Sequence, residues 1–317
     1  MININKAIGE LSWHRQPYGL YEPIAYALEG GGKRLRPTLA MVACRMFGGD
    51  EEKALPVALA LEIFHNFTLL HDDVMDHAPV RRGRPTVHVR WDDNTAILSG
   101  DQMMTEAYKQ LEKVEPALLP QVLHLFNKMA SDIWGGQQLD MEFETREDVS
   151  VEEYLEMIRL KTSVLLGAAL QMGGLMAGAS ETDQEMLYQI GTNIGLAFQI
   201  QDDVLDVWGD EKTFGKRIGG DIVQNKKSFV QIQALKHAND EQLMELKGWI
   251  NRKEFVEEEK IREVTRLYNE INIRPICEER IARYTQDAMD DIRRLGVQEE
   301  KKEELIQITQ KLLNRKN

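Results

Sequence analysis

Leu69-Leu70-His71-Asp72-Asp73-Val74-Met75-Asp76-His77-Ala78-Pro79-Val80-Arg81-Arg82-Gly83-Arg84 closes an apolar-periodic run that begins at Glu51. Ile63, Phe64, Phe67, Leu69 and Leu70 recur at helical spacing, which predicts one long helix carrying Asp72, Asp73 and Asp76 at its C-terminal end. On a helix, residues i and i+4 lie one turn apart and i+1 sits beside them, so the three carboxylates share one edge. Close anions raise one another's pKa unless something positive holds them, and acceptor-only oxygens suit a hard divalent cation such as Mg²⁺. Arg81, Arg82 and Arg84 follow Pro79 and are expected on a loop just past that edge. A phosphate bridged between a metal and guanidiniums is what such a juxtaposition serves.

The pattern returns at Gln199-Ile200-Gln201-Asp202-Asp203-Val204-Leu205-Asp206, again after an apolar helical run (Ile194, Leu196, Ala197, Phe198, Ile200). A single Asp-Asp-x-x-Asp triplet reads equally well as a solvated acidic face or a helix cap. Two of them, each delivered by an apolar helix, read as a paired acidic site.

Basic residues gather in three other places. Gly30-Gly31-Gly32 ends a short amphipathic helix and is followed by Lys33-Arg34-Leu35-Arg36-Pro37, where Pro37 sits in the first turn of the next helix. Cations beside a glycine run and a helix start make a diphosphate cradle, although the spacing is not that of a Walker A loop. Lys161 and Thr162 lie inside Val151–Ala179, an otherwise apolar helical stretch, where a lysine either snorkels to solvent or meets a ligand. Gly209–Ser228, with Gly215-Lys216, Gly219-Gly220-Asp221 and Asn225-Lys226-Lys227, reads as a glycine-hinged lid. His65 stands on the first acidic helix, where an isolated histidine is more often a satisfied core residue than a ligand-binding one.

The chain has 317 residues, 43% hydrophobic and 29% charged, enough for a large core. A net charge of −13 excludes a general nucleic-acid binder, whose phosphate contacts need a dominant basic surface. Two cysteines cannot build a disulfide framework, and Met1–Trp13 lacks the apolar core of a signal peptide, so a cytoplasmic setting is expected. The apolar stretch Val164–Ala179 is shorter than the roughly 20 residues that span a bilayer. Thr95–Lys113, Pro116–Met141 and Val151–Ala179 all carry helical periodicity, no stretch alternates long enough for a strand, and no linker appears. The expectation is therefore a single all-α domain over residues 1–317, a bundle of antiparallel helices around a deep central cavity, with the two acidic helices facing each other at its mouth.

Taken in order, Gly31-Gly32-Lys33-Arg34-Leu35-Arg36-Pro37, His65, Asp72-Asp73-x-x-Asp76, Arg81-Arg82-Gly83, Lys161-Thr162, Phe198-Gln199-x-x-Asp202-Asp203-x-x-Asp206 and Gly215-Lys216 through Lys226 resemble the trans-polyprenyl diphosphate synthase family over almost the whole chain. The resemblance implies a homodimeric prenyltransferase of the isoprenoid synthase fold that condenses isopentenyl diphosphate with an allylic diphosphate. It implies Mg²⁺, three ions with the allylic diphosphate bound, held by Asp72, Asp73, Asp76, Asp202 and Asp203, with Asp206 completing the second motif. Arg81, Lys161, Lys216 and Lys226 would meet the allylic diphosphate, and Lys33, Arg36, His65 and Arg82 the diphosphate of isopentenyl diphosphate. Oxygen dipoles such as Thr162 and Gln199 would face the allylic cation, with water excluded. Ser228 replaces the usual threonine of the family, and the doubled Lys226-Lys227 leaves open which lysine faces the ligand.

In this family a large side chain five residues before the first aspartate limits product length and a second aromatic at the fourth shortens it further. Those positions are Phe67 and Thr68, with Phe64 about one turn beyond, which implies geranylgeranyl diphosphate, with farnesyl diphosphate as the alternative. Two different readings compete. A terpene cyclase would pair one aspartate motif with an Asn/Ser/Glu motif and would not need the Lys33/Arg36 cradle, and a non-catalytic partner subunit would have degraded acidic motifs.

Overall fold

The computed structural model describes residues 2–210 and 218–313, almost wholly as helix. The elements are α1 (Ile4–Gly9), α2 (Tyr18–Glu29), α3 (Leu35–Met46), α4 (Glu51–Met75), β1 (Val80–Arg81), β2 (Arg84–Pro85), α5 (Val87–Arg90), α6 (Asp93–Leu111), α7 (Leu119–Thr145) and α8 (Val151–Ile158). A π-helical turn (Arg159–Ser163) leads into α9 (Val164–Met176) and α10 (Glu181–Trp208). Then come α11 (Gly220–Val223), α12 (Phe229–His237), α13 (Asp240–Asn251), α14 (Glu257–Ile271), α15 (Arg274–Arg294) and α16 (Glu299–Leu313). The all-α class expected from periodicity holds, and the two strands are only two residues each.

The chain divides into two compact units: Met1–Asn127 with Ala168–Tyr188 and Gly296–Lys302, and Lys128–Gly167 with Gln189–Leu295 and Glu303–Asn317. In the first, α4 packs along α6 and α3, and α2 lies against α6. Asp50 caps α4 through the amide of Glu52, and Glu51 and Glu52 complement the positive end of its dipole. By length and hydropathy α4 could cross a bilayer, yet 67% of its most apolar window is buried in the protein, as befits a core helix. Its aromatic side chains form a train: Phe64 meets Phe126 edge-to-face at 5.2 Å, and Phe126 meets Tyr108 at 5.3 Å.

The C-terminal end of α4 is closed by a Schellman arrangement, with His77 in the left-handed region at φ 49°. The His77 amide reaches the Val74 carbonyl at 3.3 Å and the Ala78 amide reaches the Asp73 carbonyl at 2.9 Å. That reversal sends the chain straight into the β1–β2 hairpin, pinned by the Thr86 hydroxyl on the Ala78 carbonyl at 2.7 Å. The expected basic loop is thus a hairpin, paired Val80 with Pro85 and Arg81 with Arg84. Arg82 and Gly83, at φ 52° and 73°, make the mirror-image turn that suits strand twist.

The second unit is organised around a core that includes Phe143, Tyr154, Ile200, Phe229, Leu246 and Tyr268. Ser150 and Glu153 cap α8 reciprocally, and Asn239 and Gln242 do the same for α13. Val151–Ala179, read from the sequence as one helix, is interrupted by the π turn at Arg159–Ser163, which holds Lys161 and Thr162. Cys44 and Cys277 are buried free thiols.

Phe126 is fully buried between two rings, so Phe126→Ala leaves a cavity the helices cannot close. It is expected to cost about 3–5 kcal/mol in chemical unfolding. A loss under about 1 kcal/mol would mean that the ring train does not support α4.

Candidate active site

The three aspartates at the end of α4 differ in environment. Asp73 is only 5% exposed and accepts a hydrogen bond from Arg81 Nε at 2.7 Å. Burial raises its pKa, with the Arg81 charge opposing. Asp72 is less buried, with Arg81 Nη2 at 3.8 Å, and Asp76 is exposed at the helix cap. One guanidinium on the hairpin therefore serves the first two aspartates. His71, beside Asp72, lies with Nε2 3.0 Å from the Ile97 carbonyl; a Cβ at Gly100 would fall 2.2 Å from that nitrogen. Gly100 thus lets α6 hold this end of α4.

The basic residues around Gly30–Arg36 converge with the hairpin on His65. Burial, and then the charges of Arg36, Arg82, Arg81 and Arg34, hold His65 well below its ordinary pKa, so the ring is neutral. Burial brings Arg36 down to about 10, with Glu62 opposing, and its buried Nε has no hydrogen-bond partner. Arg82 is lowered by burial and likewise opposed by Glu62; its guanidinium donates to the Gly31 carbonyl. A Cβ at Gly32 would fall 3.0 Å from the Arg82 guanidinium carbon, so this glycine makes room for the cation. Lys33 is exposed at the same turn. Such crowding of cations with a buried unsatisfied donor suits a multivalent anion.

In the second unit the aspartates are again unequal. Asp202 is half-buried, whereas Asp203 and Asp206 are 5% and 7% exposed. The Asp203 carboxylate accepts from the Tyr154 hydroxyl, from the Phe229 amide at 2.8 Å and from Gln199 Nε2 at 3.5 Å. Burial, then the charge of Asp221, pushes Asp203 up to about 7 against those hydrogen bonds and the charge of Lys226. Asp206 accepts from the Asp221 amide at 3.0 Å, and its own carbonyl accepts from Gly219 at 2.7 Å, so it fixes the start of α11. Lys226 is the lysine whose charge reaches Asp203, while Lys227 Nζ lies 3.4 Å from the Glu144 carbonyl. The Ser228 hydroxyl caps α12 through the Gln231 amide. Gly215 and Lys216 fall outside the described residues.

The π turn is clamped by glycines. A Cβ at Gly136 of α7 would stand 2.2 Å from the Lys161 nitrogen, and one at Gly195 of α10 would stand 2.6 Å from the Ser163 Cα. Lys161 Nζ is ion-paired with Asp140. π turns inside α-helices are frequently found at functional positions.

The Polyprenyl synthetase family model matches residues 17–268. The chain belongs to that family. It is 43% identical over 234 residues to a geranylgeranyl diphosphate synthase of Methanosarcina mazei, covering 73% of this chain and 72% of that protein. A geranylfarnesyl diphosphate synthase of Aeropyrum pernix is 40% identical over 230 residues, covering 70% of this chain and 72% of that one. A crystal structure of a geranylgeranyl pyrophosphate synthase superposes with a TM-score of 0.93 at 41% identity over 100% of both chains. This is the isoprenoid synthase fold, and the polyprenyl synthetase is an enzyme, a prenyltransferase.

Among the described residues no three His, Cys, Asp or Glu side chains converge to hold a metal by themselves. The donor set still fits Mg²⁺, because hard carboxylate oxygens are present and this ion ordinarily completes its shell with phosphate and water. Phe67, 6% exposed, packs on Phe64 at 5.8 Å and on His71 at 4.8 Å, continuing the aromatic train. The Thr68 hydroxyl is turned to the His65 carbonyl at 2.8 Å. Tyr154 and Asp140 were not legible as site-supporting residues, and Asp221 was legible only as part of the Gly219-Gly220-Asp221 loop. Asp140 had a signal in the Gly135-Gly136 pair inside an otherwise helical run just before it.

Gly195→Ala should displace the π turn, because the obstructing atom is backbone. A 1 Å misplacement can cost about a hundredfold, so kcat is expected to fall by about that factor, alongside an overpacking cost of about 1–3 kcal/mol in stability. An unchanged kcat would show that the Lys161–Thr162 turn tolerates movement.

Proposed function

We propose that this prenyltransferase makes geranylgeranyl diphosphate by repeated condensation of isopentenyl diphosphate with allylic diphosphates, and that the whole chain works as one catalytic domain. The observation that carries the reading is the cluster of Arg36, Arg82, Arg81 and Arg34 around a neutral His65, on the helix that also bears Asp72. It gives a second diphosphate its own cradle, which a cyclase would not need. The names of the relatives support the twenty-carbon product, and Phe67 above Phe64 supports a short chain.

In this reading Asp72, Asp73, Asp76, Asp202 and Asp203 would hold Mg²⁺, three ions with the allylic diphosphate bound, with Asp206 completing the second motif. Asp73 and Asp203 are the buried members that fix Arg81 and the α12 start, and Asp206 holds the loop before α11. When bound, Mg²⁺ neutralises the departing diphosphate. Arg81, Lys161, Lys216 and Lys226 bind that same diphosphate. Lys33, Arg36, His65 and Arg82 bind isopentenyl diphosphate. The Thr162 and Gln199 oxygens stabilise the allylic cation; with Gln199 Nε2 donating to Asp203, its carbonyl is the end left to do so. The released diphosphate takes the proton that closes the reaction. We further propose a cytoplasmic homodimer, supported by the two buried free thiols and by Ile97 and Leu98, which α6 leaves 42% and 59% exposed.

Asp72→Ala and Asp202→Ala are each expected to lower kcat by about a thousandfold or more, several kcal/mol of lost charge stabilisation. Mg²⁺-dependent turnover at near wild-type rate in either variant would overturn the metal assignment, and hydrocarbon formed without isopentenyl diphosphate would favour a cyclase.

Phe67→Ala is expected to shift the main product from about twenty carbons to twenty-five or more, since a hydrophobic pocket separates one isoprene unit by shape alone. If the products of the variant are no longer than those of the wild type, Phe67 is core packing and not the floor. A wild-type product of fifteen carbons would identify a farnesyl diphosphate synthase instead.

A further inference from the structure

Arg34 stands between Lys33 and Arg36 but turns inward, with only 9% of it exposed. Its backbone is left-handed, φ 46° and ψ 38°, at the position that opens α3. A side chain other than glycine holds that conformation at a cost of about 1–2 kcal/mol, so something must fix it. The guanidinium supplies the fixing. Nη1 donates to Glu62 Oε1 at 2.6 Å, Nη2 to the Leu28 carbonyl at 2.5 Å and Nε to Asn5 Oδ1 at 3.3 Å. Glu62 is 2% exposed, and its Oε1 also accepts from Asn66 Nδ2 at 2.9 Å. Arg34 thereby ties α1, the end of α2 and α4 to one turn of chain.

A buried ion pair is a poor source of stability, because desolvation offsets the attraction. Its value lies in geometry and in charge. Glu62 is the carboxylate whose charge reaches Arg34, Arg36 and Arg82 alike. We propose that Arg34 and Glu62 are positioning residues for isopentenyl diphosphate: the buried pair sets the Lys33–Arg36 turn before the diphosphate arrives, and Glu62 offsets the repulsion among the guanidiniums. Neither residue touches the substrate. The proposal rests on the assignment of Lys33, Arg36, His65 and Arg82 to that diphosphate.

The test is steady-state kinetics of Arg34→Lys, Glu62→Gln and Arg36→Ala, varying each substrate separately. Arg34→Lys keeps the charge and loses the three-way fork; Glu62→Gln keeps an acceptor and loses the charge. Both are expected to raise the KM for isopentenyl diphosphate about tenfold, about 1.4 kcal/mol, while the allylic KM stays within about twofold. If Glu62 were merely a nearby anion, removing it would lower that KM, so a fall or no change overturns the proposal. So does an equal rise in both KM values. Arg36→Ala separates the two levels: no effect there overturns the cradle itself, whereas a rise confined to Arg36→Ala overturns only the positioning role. Should either buried variant fail to fold, Asn5→Ala, which loosens Arg34 from an exposed partner, is expected to raise the same KM about threefold. An unchanged value in that folded variant overturns the proposal.

Discussion

Repulsion between like charges is the constraint on which the rest of this structure depends. Each acidic motif places two aspartates side by side, and each relieves the crowding in the same way. The first aspartate stays accessible while the second is buried and given to the protein: Asp73 to Arg81, Asp203 to Tyr154 and the Phe229 amide. A buried carboxylate survives only when hydrogen-bonded, and both are. The consequence is a division of labour within a motif that looks uniform in sequence. The accessible carboxylates suit a hard cation, and the buried ones hold the cation-bearing hairpin or the next helix in register.

Close packing supplies the geometric counterpart. Lys161 and Thr162 ride on a π turn, which an uninterrupted α-helix would replace with a different side-chain register. Gly136 and Gly195 let two helix backbones press on that turn from different elements, and no residue with a Cβ fits either place without backbone movement. Asp140 then fixes the end of the lysine side chain. The same logic applies at Gly32, where the missing side chain is the space that the Arg82 guanidinium fills.

Helical periodicity, the two acidic triplets and the clustering of cations were legible because each is a repeat or a local excess, visible without knowing what lies nearby in space. The interior of Val151–Ala179 was not. A π turn leaves the apolar pattern of its helix intact, so nothing in the spacing marks Lys161 as lying on one. The hairpin at Val80–Pro85 was hidden because strands of two residues cannot show alternation. Tyr154 and Glu62 were hidden for another reason: each sits at a position that helical periodicity assigns to the core, and only the structure shows the polar partner waiting there. Arg34 was grouped with Lys33 and Arg36 by charge, although its side chain turns the other way.

Burial also bears on the cations of the Lys33–Arg36 turn. Lys33, Lys226 and Arg82 are exposed, whereas the more buried positions at the Lys33–Arg36 turn, Arg36 and Arg34, are both arginines. Desolvation brings Arg36 down to about 10, which leaves it charged at any physiological pH because guanidinium starts so high. A lysine begins about two units lower, so the same burial would leave it a much smaller margin above physiological pH. Lys161, half-buried in the second unit, keeps the Asp140 carboxylate beside it. His65 gives up its charge altogether among four guanidiniums and can offer only a neutral N–H or a lone pair. In the proposed cradle the charge that would draw an anion therefore lies on the arginines and Lys33, and the histidine would contribute direction, not charge.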